Sequence, residues 1–216
     1  MTITAPHLVR WAGVCAMIAG ILYVGVGVFH PPNVLSSVTA ASWTMVHILA
    51  IAMSFFGLLG MAGLYARQAD KSGWLGLAGY ILFSLWLALM LGFAFVETFV
   101  LPRLATVLPA FVDGFLGIFT GSASTIDLGV LPTIWSVTGP LYILGGLLFG
   151  IATFRAGILP RWAAVMLALG TALAPVAALL PPALAPKIAI PVGLGLAWLG
   201  YGLAVERRGT SPESIT

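Results

Sequence analysis

The chain has 216 residues, of which 61% are hydrophobic and only 7% are charged. Soluble domains carry about 25% charged residues, so this chain has too few polar side chains to cover a globule in water, and we predict an integral membrane protein. The same composition excludes the disordered and the disulfide-rich secreted classes, and nine scattered basic residues form no patch for nucleic acid.

Six apolar segments are each long enough to cross a bilayer as a helix, which takes about 20 residues. Their runs are continuously apolar, whereas the strands of a membrane barrel alternate apolar and polar residues. The first run is too long for a signal peptide and is expected to stay as a span. The sequence therefore predicts one all-α transmembrane domain over residues 1–216, with six spans at about 11–29, 44–66, 74–100, 133–154, 162–180 and 188–205.

The basic residues of the connections predict the orientation of this bundle. Seven lie on one side of the membrane and two on the other, and Lys and Arg favour the cytoplasmic side. Both termini are therefore expected in the cytoplasm. The composition resembles that of bacterial proteins and no targeting signal is recognised, so the expected location is a bacterial inner (plasma) membrane. The seven are Arg10, Arg67, Lys71, Arg155, Arg161, Arg207 and Arg208, and the two are Arg103 and Lys187. Trp74 and Trp162 fit an inner aromatic belt, and Trp43 and Trp135 an outer one.

The segment 101–132, between the third and fourth spans, is apolar but broken by glycines and charges. Phe111, Phe115 and Phe119 recur every four residues, which places them on one face of a helix. A helix of this composition is expected to lie in the interface or to re-enter the membrane. It either plugs the outer end of the bundle or covers a lipophilic pocket there.

Three ionisable residues lie near the outer ends of three consecutive spans. His30, His47, Glu97 and also Trp135 are each 20 to 23 residues from the arginine or tryptophan at the cytoplasmic end of their spans. This spacing corresponds to about 30 to 35 Å of helix, so the four side chains are predicted to share one depth. Ionisable residues within a membrane indicate a functional site.

The leading hypothesis is general acid/base catalysis, with Glu97 as the acid, His47 as the group that tunes or reprotonates it, and His30 beside them. A carboxyl in apolar surroundings stays protonated at neutral pH and can protonate a lipophilic substrate. Aromatic faces can stabilise the cation that forms. The predicted reaction is the cyclisation or isomerisation of an isoprenoid or sterol-like substrate, and the predicted substrate-binding residues are Trp43, Trp86, Phe93, Phe111, Phe115, Trp135 and Tyr142. This chemistry is similar in kind to that of membrane terpene cyclases and sterol isomerases, although no motif of either family is present.

Two alternatives remain open from the sequence. In one, the protein is a non-catalytic membrane subunit or a lipid-binding protein. In the other, His30, His47 and Glu97 bind zinc or iron, although no short ligand spacing supports a metal. The leading hypothesis needs no cofactor or metal. Its expected partners are membrane lipid and a lipophilic small molecule, and a homo-oligomer or a larger membrane complex stays open.

Overall fold

The structure, a computed structural model, describes residues 4–181 and 184–206, and within those residues it is helical and contains no β-strand. The α-helices are α1 (Ala5–Phe29), α2 (Leu35–Val38), α3 (Ala41–Phe95), α4 (Leu101–Leu104), α5 (Pro109–Thr120), α6 (Leu131–Ala156), α7 (Arg161–Ala172) and α8 (Ile190–Val205). A π-helix, Val96–Val100, joins α3 to α4. Two 3₁₀-helices, Ala174–Leu179 and Ala185–Ala189, lie between α7 and α8. Arg207 and Arg208, two of the predicted cytoplasmic cations, lie outside the described residues.

The long α3 is a hairpin of two antiparallel arms, 41–72 and 74–95. Gly73 joins them with φ 56° and ψ −157°, a conformation open only to glycine at low cost. The rings of Tyr65 and Tyr80 stack across the two arms with centroids 4.9 Å apart. The sequence suggests a polar break at 67–72, but the first arm remains helical through those residues and the chain turns only at Gly73.

Six helical segments pack in a ring, each against the next. The order is α1, the first arm of α3, its second arm, α6, α7 and α8, and α8 returns to α1. Glycines permit the close crossings, because small residues let helix backbones approach in lipid. At Gly20, for example, an added Cβ would collide with the backbone of Gly193 and Ala197 on α8.

In the part of the chain that the structure describes, four long apolar helices could cross a membrane by their length and composition: Ala5–Phe29, Ala41–Leu104, Leu131–Ala156 and Ala185–Val205. Their outward faces carry exposed large apolar side chains, such as Ile21, Phe55 and Leu144. An apolar outer surface of this kind requires a hydrocarbon surrounding, so the chain is an integral membrane protein.

The predicted fifth span, 162–180, is not one continuous α-helix. The α-helix covers only Arg161–Ala172, and a 3₁₀-helix continues the segment from Ala174 to Leu179. Pro175 explains the change, because proline has no N–H for the i→i−4 ladder and disfavours the α conformation of the residue before it. The sixth span likewise begins as a 3₁₀-helix, Ala185–Ala189, which leads directly into α8.

The segment 101–132 folds into α4 and α5 and then a loop. One face of α5 packs on a buried cluster at the end of the bundle opposite Gly73, the α5 cluster, which contains Trp43, Phe93, Leu101 and Phe115. Trp43 is 0% exposed, so it does not belong to an outer aromatic belt as the sequence suggests. It is buried because α5 and the π-helix cover it. Trp74 and Trp162, at the opposite end, are exposed as an aromatic belt requires.

Candidate functional site

A partly open cavity of about 470 Å³ lies between the helices of the ring, next to the α5 cluster. This volume falls within the range of about 300 to 1,000 Å³ that is typical of small-molecule sites. α1, both arms of α3, α5, α6 and the second 3₁₀-helix contribute to its wall. The lining residues are Tyr23, Val26, Gly27, His30, Asn33, His47, Ala50, Met53, Trp86, Met90, Phe93, Ala94, Glu97, Phe119, Trp135, Thr138, Gly139, Tyr142, Ala185, Pro186 and Ala189.

His47 and Glu97 form a buried pair at one end of the cavity. Nε2 of His47 lies 3.3 Å from Oε1 of Glu97, and the two side chains are 2% and 10% exposed. The two atoms are not aligned as a hydrogen bond, so this Nε2 has no hydrogen-bond partner within the described part of the chain. The pair is therefore in contact but keeps hydrogen-bonding capacity for a third group.

The other ring nitrogen of His47 fixes where its proton lies. Nδ1 is 2.8 Å from the backbone oxygen of Trp43, and a carbonyl can only accept a hydrogen bond. Nδ1 therefore carries hydrogen in every protonation state. If the imidazole were neutral and Glu97 ionised, two lone pairs would face each other in a buried site, which is costly. A proton on either Nε2 or the carboxyl group removes this repulsion.

Trp43 positions both members of this pair. Its carbonyl orients His47, and its indole Nε1 donates to the backbone oxygen of Glu97 at 2.8 Å. The rings of Trp43 and His47 also pack with centroids 4.2 Å apart. Glu97 lies in the π-helix, and single π turns of this kind occur frequently at functional sites. One tryptophan thus holds the first arm of α3 and the π-helix in register.

His30 lies beside the pair, just after the end of α1. Its ring centroid is 5.2 Å from that of His47. Its Nδ1 is 2.7 Å from the oxygen of Pro31, so Nδ1 donates and Nε2 is left as the acceptor. Burial, and secondly the neighbouring His47, lower the pKa of His30 below its usual value. A neutral His30 offers a proton acceptor at the same end of the cavity.

The predicted aromatic residues divide into two groups. Trp86, Phe93, Trp135 and Tyr142 line the cavity, whereas Trp43, Phe111 and Phe115 do not. Phe115 is only 1% exposed and packs within the α5 cluster. α5 has twelve residues, and only its last turn reaches the cavity. Phe119, the third phenylalanine of the series, supplies that contact and packs against Trp135 with centroids 4.6 Å apart.

A second polar group, which the sequence does not single out, lies farther along the cavity. Tyr23 donates a hydrogen bond to the hydroxyl of Tyr142 at 3.1 Å. Both rings pack against Trp86, with centroids 5.8 and 4.7 Å away. The sequence does contain a signal for it, because a tyrosine in the middle of an apolar span needs a partner for its hydroxyl. Asn33, also missed, lines the cavity as well, and its Oδ1 has no hydrogen-bond partner among the described residues.

The metal alternative gains no support from the geometry. Across residues 4–181 and 184–206, no group of three or more His, Cys, Asp or Glu side chains is arranged to hold a metal ion. His30 and His47 each commit one ring nitrogen to a backbone carbonyl. The three predicted ligands are neighbours but do not form a coordination site.

No protein-family model matches this chain, and comparisons with curated proteins and with solved structures give no significant match. Only the residues of the site itself therefore indicate what the protein does.

Proposed function

We propose that this protein is an integral membrane enzyme that isomerises or cyclises a lipophilic, isoprenoid-type or sterol-like substrate by proton transfer. The six segments of the ring are then six membrane spans with both termini on the cytoplasmic side, in agreement with the distribution of basic residues. The short α7 completes its span with the 3₁₀-helix Ala174–Leu179. In this orientation the cavity lies in the outer half of the bilayer and α5 covers its outer end.

The observation that carries this proposal is the His47–Glu97 contact at the end of an aromatic cavity. A protonated carboxyl beside a histidine can act as a general acid toward a substrate in the cavity. Because Nε2 of His47 and Oε1 of Glu97 lie 3.3 Å apart without a hydrogen bond between them, a proton on the Glu97 carboxyl is not held in this contact. A substrate in the cavity can receive it.

The reaction balances without a co-reactant. The Glu97 carboxyl gives its proton to one carbon of an alkene, the π electrons form the new C–H bond, and the other carbon becomes cationic. The faces of Trp86, Phe93 and Trp135 stabilise this cation. Loss of a proton from a neighbouring carbon, to Glu97 or to Nε2 of His30, forms a new double bond. Substrate and product are therefore isomers, and nothing is oxidised or reduced.

This isomer relation gives a test that works without knowing the substrate. Wild type and Glu97→Gln are purified in the same detergent, and the co-purified lipophilic molecules are extracted and identified by mass spectrometry with chromatography. We expect Glu97→Gln to retain a molecule that the wild type converts to an isomer with the same mass and a different retention time. The same single molecule in both preparations, or no cavity ligand in either, would contradict the proposal.

The second candidate function is lipid binding without chemistry, and the mainly apolar wall of the cavity favours it. Under this alternative, Glu97 only provides a polar contact for a head group. Wild type and Glu97→Gln then carry the same molecule in different amounts. The extraction experiment thus separates the two functions by the identity of the ligand rather than by its abundance.

A further inference from the structure

The tyrosine pair leaves one hydrogen-bond donor unused inside the cavity. Tyr23 and Tyr142 together carry two hydroxyl hydrogens, and their mutual hydrogen bond uses one. Neither hydroxyl has another protein partner within the described residues, and both residues line the cavity. Whichever tyrosine donates to the other, the second hydrogen remains available. A buried donor of this kind requires an acceptor.

The unused donor lies well away from the acid pair. Tyr23 precedes His30 by seven residues on α1, which corresponds to about 10 Å of helix rise. On the second arm of α3, Trp86, which contacts both tyrosines, precedes Glu97 by eleven residues, or about 16 Å. The aromatic wall of the cavity occupies the distance between the two polar ends.

We infer that the ligand of this cavity is an elongated lipophilic molecule with an oxygen acceptor at the end that meets Tyr23 and Tyr142, about 10 to 16 Å from the group at the His47–Glu97 pair. The inference rests on the proposed function for the role of the acid end. It adds a specificity-determining pair, because the tyrosines fix which end of the bound substrate lies beside them and which lies at Glu97. An alcohol, ether or ketone oxygen satisfies the donor, whereas a hydrocarbon end leaves it unpaired.

The test compares three probes of similar shape. Farnesol has a hydroxyl at one end and a double bond at the other, its methyl ether keeps the oxygen as an acceptor only, and farnesene lacks the oxygen. Binding to the full chain in detergent is followed by tryptophan fluorescence, since Trp86 and Trp135 line the cavity. We expect wild type to prefer farnesol and the ether over farnesene by about two- to tenfold, the effect of one hydrogen bond.

The matched variants are Tyr23→Phe/Tyr142→Phe and, as a control, Tyr65→Phe/Tyr80→Phe, which alters a stacked tyrosine pair outside the cavity. The first double variant is expected to lose the preference while still binding farnesene, and the control to keep it. An unchanged preference in the first double variant would overturn the inference. An ether that binds wild type no better than farnesene would overturn it too, and this comparison needs no variant.

The inference and the proposed function fail separately. Glu97→Gln is expected to abolish isomer formation and to leave the preference for oxygenated probes unchanged. If wild type prefers the oxygenated probes but forms no isomer, the proposed function is refuted and the tyrosine inference stands. Isomer formation without any probe preference would refute the tyrosine inference alone.

Discussion

The crossing between the second arm of α3 and α6 gives a sharp test of the packing around the cavity. A Cβ added at Gly79 would collide with the backbone nitrogen of Phe149 and lie 2.7 Å from its Cα. On the facing helix, a Cβ at Gly145 would lie 2.5 Å from the backbone nitrogen of Phe83. Backbone atoms cannot rotate away, so Gly79→Ala forces the two helices apart by about 1 Å to restore ordinary contact.

The cost of this displacement can be estimated from other overpacked cores. Overpacking costs about 1 to 3 kcal/mol, and in a chain of this size about 2 kcal/mol lowers Tm by about 4 to 8 °C. The matched control is Gly92→Ala on the same arm, where an added Cβ meets nothing within 4 Å. Alanine is favoured over glycine in a helix by about 1 kcal/mol, so the control is expected to match or exceed the stability of wild type.

Thermal unfolding of both variants in one detergent, followed by circular dichroism, measures this difference. Gly79→Ala must unfold below wild type and below Gly92→Ala. Equal Tm values for the two variants would refute the close backbone crossing, and with it the placement of Tyr142 on α6 beside Trp86.

Three further predictions concern the polar residues. Trp43→Phe leaves the backbone carbonyl of Glu97 without the donor that Trp43 supplies, and it should destabilise the protein by about 1 to 3 kcal/mol in thermal unfolding. An unchanged Tm would contradict the role of Trp43 in holding the π-helix against the first arm of α3. Glu206→Gln weakens a partly exposed bidentate pair with Arg67 and should lower the free energy of unfolding by no more than about 1 kcal/mol. The affinity of the cavity for the farnesol probe should stay unchanged, and a weaker affinity would contradict a purely local role for this pair. Because the pKa of His30 is lowered in the folded protein, His30 binds a proton in the unfolded chain first as the pH falls below about 6.5. The contribution of His30 to stability is therefore full above that pH and declines below it. The drop in Tm between about pH 7.5 and about pH 5.5 should shrink in His30→Gln, and an equal drop in both proteins would contradict the reasoning.

Counting residues along the spans is enough to predict which polar side chains meet. Helix rise alone assigns His30, His47, Glu97 and Trp135 to one depth, and the structure places all four at one cavity. Rise per residue is the same for every helix, so depth can be read from spacing once the cytoplasmic ends are known. Their catalytic roles remain predictions, because depth says nothing about chemistry.

Rotation about the helix axis cannot be read in the same way. Nearly every face of these spans is apolar, so the sequence pattern does not distinguish the inside of the ring from its lipid-facing side. For this reason the sequence does not show that Trp43, Phe111 and Phe115 pack behind the wall of the cavity or beside it. Their role in substrate binding stays a prediction. The apolar pattern of the span does not predict the π-helix at Glu97 either. The hydrogen bond from Trp43 to the Glu97 carbonyl is a tertiary contact, which periodicity along one helix does not show.

The central claim is that Glu97 and His47 deliver a proton to the substrate. The most direct measurement uses the molecule retained by Glu97→Gln, added in a single turnover to an excess of wild-type protein that has been equilibrated in D₂O. The account predicts an isomeric product with one deuterium on carbon, and a rate about 10² to 10⁴ times lower in Glu97→Gln. A product free of carbon-bound deuterium, or an equal rate in the two proteins, would contradict it.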